Sequence, residues 1–215
     1  MSVSSQALYT DISIFDKILE SSVDGIELNV SCPNIEGDSQ LSYDFLKLDS
    51  FLRKLFERYT MNKKTIGIKL SPFFDTGHFN RMFNILNENK NLDFLTCING
   101  IGNGLYIDID TEEPVIKPKN GLGGLGGSIV KPIGLSNVNM FYKNTNFDII
   151  GCGGIESGKD IFEYILCGAK AVQIGTQLVR EGDSCFERLD NELKEVMYDK
   201  AYHNLNDFRG KLRYK

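Results

Sequence analysis

Gly25-Ile26-Glu27-Leu28-Asn29-Val30-Ser31-Cys32-Pro33-Asn34 carries an apolar run straight into a polar stretch holding two carboxamides, a hydroxyl and a thiol. An apolar segment bounded by polar residues and a proline reads as a buried strand that ends at a loop. In parallel α/β folds the residues just past a strand's carboxyl end are the ones that meet ligands, so the junction is a candidate site as well as a fold signal. An ordinary turn is the alternative, because Asn, Ser and Pro also serve turns for purely local backbone reasons.

The same pattern recurs along the chain. Short apolar runs at Ile26–Leu28, Ile66–Leu70, Phe94–Ile98, Ile149–Ile150 and Ala171–Ile174 are each followed by Gly, Asn or Ser. Between them, Phe45, Leu48, Leu52 and Leu55 share one helical face, as do Phe79, Met82, Phe83 and Leu86, and later Phe186, Leu189, Leu193 and Val196. Strand alternating with helix predicts an α/β protein with a parallel sheet, open or closed into a barrel. The segment Tyr106–Ile116 breaks the alternation with apolar and acidic residues in turn and reads as a hairpin-like excursion. Asn84–Asn91, rich in Asn and Lys, reads as a solvated helix end.

Composition narrows the function classes. At 215 residues the chain suits a single domain over 1–215. Its 24 basic and 29 acidic residues, a formal charge of -5, argue against nucleic acid or an anionic membrane as partner and favour a small molecule. The five cysteines, at 32, 97, 152, 167 and 185, lack the paired spacing of a metal site or a disulfide framework. They point to a reducing, cytoplasmic compartment and to no metal. Met1-Ser2-Val3-Ser4-Ser5 does not read as a targeting leader, and no run approaches the ~18 apolar residues of a membrane span.

Three glycine clusters lie in the second half: Gly121-Leu122-Gly123-Gly124-Leu125-Gly126-Gly127, Gly151-Cys152-Gly153-Gly154 and Gly175-Thr176. Glycine lets backbone N–H groups approach an anion, and the last two clusters fall at the ends of expected strands, where β/α barrels often grip phosphate. A glycine-rich loop can equally be only a turn. Lys69, inside the apolar run Ile66-Gly67-Ile68-Lys69-Leu70, either snorkels to the surface or faces an anion in a site. Asn29, Lys69 and Asn99 then stand at three successive strand ends, an arrangement suited to a flat, hydrogen-bonding ligand.

These residues carry a resemblance. The sequence resembles class 1A dihydroorotate dehydrogenase, the FMN-dependent, fumarate-using branch of its family, almost from end to end. The most specific pieces are Glu27-Leu28-Asn29-Val30-Ser31-Cys32-Pro33-Asn34, Gly67-Ile68-Lys69-Leu70-Ser71-Pro72-Phe73-Phe74-Asp75 and Ile101-Gly102-Asn103-Gly104-Leu105. Val115-Ile116-Lys117-Pro118-Lys119-Asn120-Gly121, Gly153-Gly154-Ile155 and Gln173-Ile174-Gly175-Thr176 add to it. Cys32, with the Ile101 and Lys117 stretches, directs the match to class 1A, since class 2 relatives use Ser as the base and class 1B relatives work with an electron-transfer subunit.

The resemblance implies a (β/α)8 TIM-type barrel and the oxidation of dihydroorotate to orotate in pyrimidine biosynthesis, with fumarate reoxidising the flavin. Cys32 would be the general base, and Asn29, Asn34, Asn99 and Gly100 would contact substrate. Asn29, Lys69 and Ile98 would lie at the flavin, with the FMN phosphate on Gly127, Gly153, Gly154, Gly175 and Thr176. A homodimer is implied, with Tyr106–Ile116 contributing to it.

The sequence also departs from the family pattern. Relatives carry about two βα units ahead of the position matching Ser2-Val3-Ser4, so about six of eight barrel strands are expected, with two unpaired edges. Gly100 stands where the family has a substrate-contacting Ser, a loss of roughly 0.5–1.5 kcal/mol for one hydrogen bond. Asp38-Ser39 replaces Lys-Pro in the loop after Cys32. These departures motivate an alternative, an inactive truncated homologue acting as a binding or interaction module. A Cys-nucleophile hydrolase pairing Cys32 with His78 or His203 ranks last.

Overall fold

Side chains alternate across a strand, so a strand with one apolar and one polar series must lie between an apolar layer and a polar interior. The central strands of this protein are of that kind. The computed structural model describes residues 1–34, 40–59 and 64–214; Asp38 and Ser39 lie outside the described residues. In chain order the strands are β1 (Ser2–Ser4), β2 (Gly25–Asn29), β3 (Thr65–Leu70), β4 (Phe94–Cys97), β5 (Ile101–Leu105), β6 (Ile107–Asp108), β7 (Glu113–Pro114), β8 (Leu122–Leu125), β9 (Asp148–Cys152) and β10 (Ala171–Gln173). The helices are α1 (Ser5–Thr10), α2 (Ser13–Glu20), α3 (Phe45–Arg58), α4 (Thr76–Glu88), α5 (Lys131–Asn144), α6 (Gly158–Leu166), α7 (Thr176–Glu181) and α8 (Ser184–Asp199).

Six strands form one parallel sheet in the order β1-β2-β3-β4-β9-β10. Among the described residues β1 and β10 each have one strand neighbour, so the sheet is open, with the β/α alternation of an incomplete TIM-type barrel. One series of side chains, including Ile26, Leu28, Ile66, Ile68, Leu95 and Ile149, is buried in a core with Leu48, Leu52 and Leu55 of α3 and Met82 and Leu86 of α4. The opposite series holds Glu27, Asn29, Lys69, Thr96 and Gln173.

Glu27 is buried, and three donors converge on its carboxyl. Ser2 Oγ donates to Oε1 at 2.9 Å, while Thr96 Oγ1 and Gln173 Nε2 each donate to Oε2 at 2.7 Å. Gln173 Oε1 in turn accepts from Lys69 Nζ at 2.9 Å. Since β10 and β2 are far apart in the strand order, these contacts require the sheet to curl around a polar interior as a barrel wall does. Gly67 makes room there, because a Cβ at that position would lie 2.3 Å from the Phe94 ring.

Side-chain caps start three of the helices. Asp44 accepts from the Lys47 N–H, Asp75 from the His78 N–H, and Ser157 and Asp160 form a reciprocal capping box on α6.

Several sequence readings shift. The expected strands Phe94–Ile98 and Ala171–Ile174 end one residue early, at Cys97 and Gln173, and Ile149–Ile150 grows into Asp148–Cys152. On α8, Leu189 and Leu193 face the core as expected, but Cys185 is fully buried and Phe186 is 51% exposed. Asn89, in the expected solvated helix end, is buried and donates to the Ile85 carbonyl at 2.8 Å. The excursion does contain a two-residue hairpin pair, β6 with β7, but Leu122–Leu125 of the first glycine cluster is a strand, paired antiparallel with β5. Gly104 and Gly123 allow this close pairing, since a Cβ on either would strike Leu125 or Ile116.

Asn137 of α5 anchors the loop after β3. It is fully buried; its Oδ1 accepts from the Phe73 N–H at 2.8 Å and its Nδ2 donates to the Phe73 and Ile133 carbonyls, each at 3.0 Å. Asn137→Ala strands both Phe73 backbone groups without partners and is expected to cost about 2–4 kcal/mol. Urea unfolding at constant slope measures this, and a midpoint within error of the parent would show that Phe73 is held by other means.

Candidate active site

The polar ends of β2, β3 and β4 meet in one hydrogen-bonded cluster. Asn29 Oδ1 accepts from the Ser31 N–H at 3.2 Å and from Asn99 Nδ2 at 3.1 Å. The buried Ser31 hydroxyl lies 2.7 Å from the Lys69 carbonyl and 3.1 Å from Asn29 Oδ1, and it accepts from Asn99 Nδ2 at 3.0 Å. Its single proton serves one acceptor at a time, and the Lys69 carbonyl is the shorter contact. Asn99 Oδ1 takes the Gly100 N–H at 2.9 Å. The Asn99 amide is therefore committed to protein partners, whereas among the described residues Asn29 Nδ2 has no protein acceptor and stays available to a ligand.

Cys32 follows this cluster on a loop held from the other side, where Lys119 Nζ donates to the Pro33 carbonyl at 2.8 Å. The loop rests on the β5/β8 ribbon, and a Cβ on Gly124 would come within 2.8 Å of the Pro33 ring. Gly100 is fixed by the same ribbon. A Cβ there would sit 2.9 Å from the Leu125 carbonyl oxygen, so the Ser expected from the resemblance would force β8 to shift.

The glycine-rich ends of β8, β9 and β10 supply the other wall. Gly127, Gly153 and Gly154 all have positive φ, at 76°, 124° and 69°, where L side chains are strained. A Cβ on Gly154 would lie 2.8 Å from the Gly127 carbonyl oxygen, whereas one on Gly126 or Gly127 would meet Thr176 at 3.6 Å, an ordinary contact distance. Among the described residues no protein acceptor takes the Gly153 or Gly154 N–H.

Both walls line a single cleft of about 380 Å³, within the roughly 300–1,000 Å³ usual for small-molecule sites. Every residue nominated from the sequence lines it: Asn29, Cys32, Asn34, Lys69, Ile98, Asn99, Gly100, Gly127, Gly153, Gly154, Gly175 and Thr176. Lys69 therefore faces the cleft, with its ammonium on Gln173, and does not snorkel outward. His78, stacked on Phe45 and paired with Asp75, and His203, at an exposed turn, both lie outside the lining, which leaves the hydrolase arrangement without a base.

Ser31, Gln173, Gly124 and Cys152 lie in stretches quoted from the sequence, but sequence reading assigns none of them a role of its own. Cys152 lies in the lining, and burial pushes its thiol up while the Lys69 ammonium opposes the shift. Burial also drives Cys97 well above the ordinary thiol range, and Cys167 is pushed up to about 11.

Comparison with known proteins fits this geometry. The family model described as dihydroorotate dehydrogenase matches residues 3–197. The chain belongs to the dihydroorotate dehydrogenase family. Within that family it is 49% identical over 214 residues to the dihydroorotate dehydrogenase (fumarate) of Lachancea kluyveri, covering 98% of this chain and 67% of the relative. The corresponding protein of Kluyveromyces lactis is 47% identical over 216 residues, with 99% and 67% covered. The chain thus spans about two thirds of the length of the curated dihydroorotate dehydrogenases it matches. Ligand-free DHODH from Eimeria tenella superposes with a TM-score of 0.72 at 22% identity, over 90% of this chain and 56% of that one, a likeness of fold.

Cys32 is half-buried in the cleft, whereas Cys97, Cys167 and Cys185 are buried. Brief alkylation with iodoacetamide at pH 8 should therefore label Cys32 at least ~10-fold faster than those three. Peptide mass spectrometry reads the order, and comparable labelling of Cys97 would contradict the described packing.

Proposed function

We propose that this chain forms the site of an FMN-dependent dihydroorotate dehydrogenase, oxidising dihydroorotate to orotate with fumarate as terminal acceptor in pyrimidine biosynthesis. The supporting observation is that one cleft gathers Cys32, the Asn29 amide, Lys69 and the glycine wall. The residues present fit FMN. Gly127, Gly153 and Gly154 line the cleft at positive φ, among the described residues the Gly153 and Gly154 N–H groups have no protein acceptor and are open to a phosphate, and Lys69 supplies a cation near the cleft floor. When bound, FMN supplies the redox step, accepting the hydride that leaves C6 of dihydroorotate and passing it to fumarate.

The protein's own groups do the rest. Cys32 takes the proton from C5 of the substrate, a role open to a thiol once the site favours its thiolate. Asn29 Nδ2 donates to the planar polar edge of the ligand, while the committed amide of Asn99 holds Asn29 in place. Gln173 keeps the Lys69 ammonium at the floor, where it offsets negative charge on the bound ring system. Asn34 and Gly100 border the substrate, and Ile98 gives the flavin an apolar contact. The same reading takes 1–215 as one domain, supported by a core cluster running from Leu8 to Phe208. It takes the protein as a cytoplasmic homodimer, with exposed Tyr106, Ile107 and Ile109 available for the contact. Among the described residues no helix is long and apolar enough to cross a membrane.

Purified protein should be yellow and should oxidise dihydroorotate with fumarate. A colourless, folded, inactive protein would exclude the enzyme reading for this chain and leave the interaction module. Cys32→Ser is expected to slow flavin reduction by dihydroorotate by about 10²–10⁴-fold in stopped flow while FMN stays bound, and unchanged reduction would remove Cys32 from the base role. Lys69→Ala should weaken FMN binding by about tenfold, as a charge-assisted contact is lost; unaltered affinity and reduction would place Lys69 outside the flavin contacts.

A further inference from the structure

Tyr164 of α6 is fully buried, and two glycines on other elements are emptied to admit it. A Cβ on Gly151 of β9 would lie 2.4 Å from its ring, and one on Gly134 of α5 would lie 2.0 Å from its hydroxyl. A phenylalanine would fill the same space, so the hydroxyl needs its own account. It donates to the Gly153 carbonyl at 2.7 Å, with the Cys152 carbonyl at 3.3 Å the longer alternative. The Cys152 carbonyl already accepts the Ile98 N–H at 3.0 Å, whereas among the described residues Gly153 O has no other donor.

A trans peptide unit points its C=O and the following N–H in opposite directions. Fixing the Gly153 carbonyl on Tyr164, inside the helix layer, therefore turns the Gly154 N–H the other way, toward the cleft that both glycines line. Two adjacent glycines at φ 124° and 69° leave that peptide plane free to rotate unless something holds it. No side chain on Gly154 could do so, because the space is taken by Gly127 O and Lys131 Cβ.

We propose that Tyr164 is a positioning residue for the phosphate end of the cleft: its hydroxyl holds the Gly153–Gly154 peptide so that the Gly154 N–H donates to a bound phosphate. Burial raises the Tyr164 phenol far above its ordinary range, so the group stays a donor at every working pH. The proposal rests on the FMN reading above and extends it to a residue outside the cleft lining.

The test compares the parent chain with Tyr164→Phe, measuring Kd for FMN and for riboflavin, which lacks the phosphate, by flavin fluorescence. Loss of one aimed hydrogen bond should weaken FMN about 3- to 10-fold and leave riboflavin within twofold. Equal weakening of both ligands would mean that the hydroxyl only supports packing, and no weakening of either would mean that it positions nothing; both results overturn the proposal. If the parent binds no FMN, the cofactor reading fails separately. A titration with inorganic phosphate followed by amide NMR of the parent then decides the Tyr164 proposal, also where Tyr164→Phe does not fold. A moving Gly154 N–H resonance supports it, and a stationary one overturns it.

Discussion

A carboxyl group inside a protein is tolerated only when donors satisfy it, and Glu27 finds its donors on three other strands. Ser2, Thr96 and Gln173 come from β1, β4 and β10, so the sheet must curl until those side chains reach one point. That curvature directs the strand ends toward one another. Two residues beyond Glu27 on the same face stands Asn29, and across the pairing with β3 stands Lys69, so satisfying one buried acid also fixes where the cleft-facing groups emerge. Gln173 extends the arrangement. With its amide nitrogen engaged by Glu27, its oxygen is left to face Lys69, and among the described residues the ammonium is held without a direct ion pair that would cancel its charge.

The two faces of each strand divide the work between stability and chemistry. The apolar series lies at or near zero exposure against α3, α4 and α5, where burying each large side chain contributes about 1.5–3 kcal/mol. The polar series contributes little of that and depends on mutual hydrogen bonds. The outer layer lets the inner one hold groups that would be costly elsewhere, among them an ammonium, the thiols of Cys32 and Cys152 and a run of glycines at positive φ.

Much of this was legible in the residues. Apolar runs closing on Asn, Ser or Gly located five of the six parallel strands because strand burial and strand-end polarity are both local patterns; the sixth, Ser2–Ser4, is placed only by the resemblance. The resemblance then nominated a set of residues that converge on one cleft. What stayed hidden depended on partners distant in sequence or on an absent side chain. The strand Leu122–Leu125 has two glycines and no β-branched residue, so nothing local marks it, and its pairing with β5 relies on space that glycine leaves. Gln173 gives no sign of its role until β10 is folded across from β2 and β3. Asn89 reads as a solvent-loving residue, yet its amide turns back to the Ile85 carbonyl. On α8 the choice between Cys185 and Phe186 is a rotation of one residue, which periodicity over about three turns does not fix.

The β5/β8 ribbon constrains how this sequence can vary. Gly100 lies against the Leu125 backbone, Gly102 against the Gln40 side chain and Gly124 against the Pro33 ring, each within 2.9 Å of where a methyl group would stand. A single added carbon at Gly124 is transmitted through Pro33 to Cys32, one residue away, and would displace the thiol before it disturbed the core. Substitutions in this ribbon should therefore be epistatic with the loop it supports: harmful singly, and acceptable only beside a compensating change at Pro33 or Gln40. Variation of this kind would alter reaction rate while leaving folding intact, so a survey of stability alone would count these glycines as dispensable.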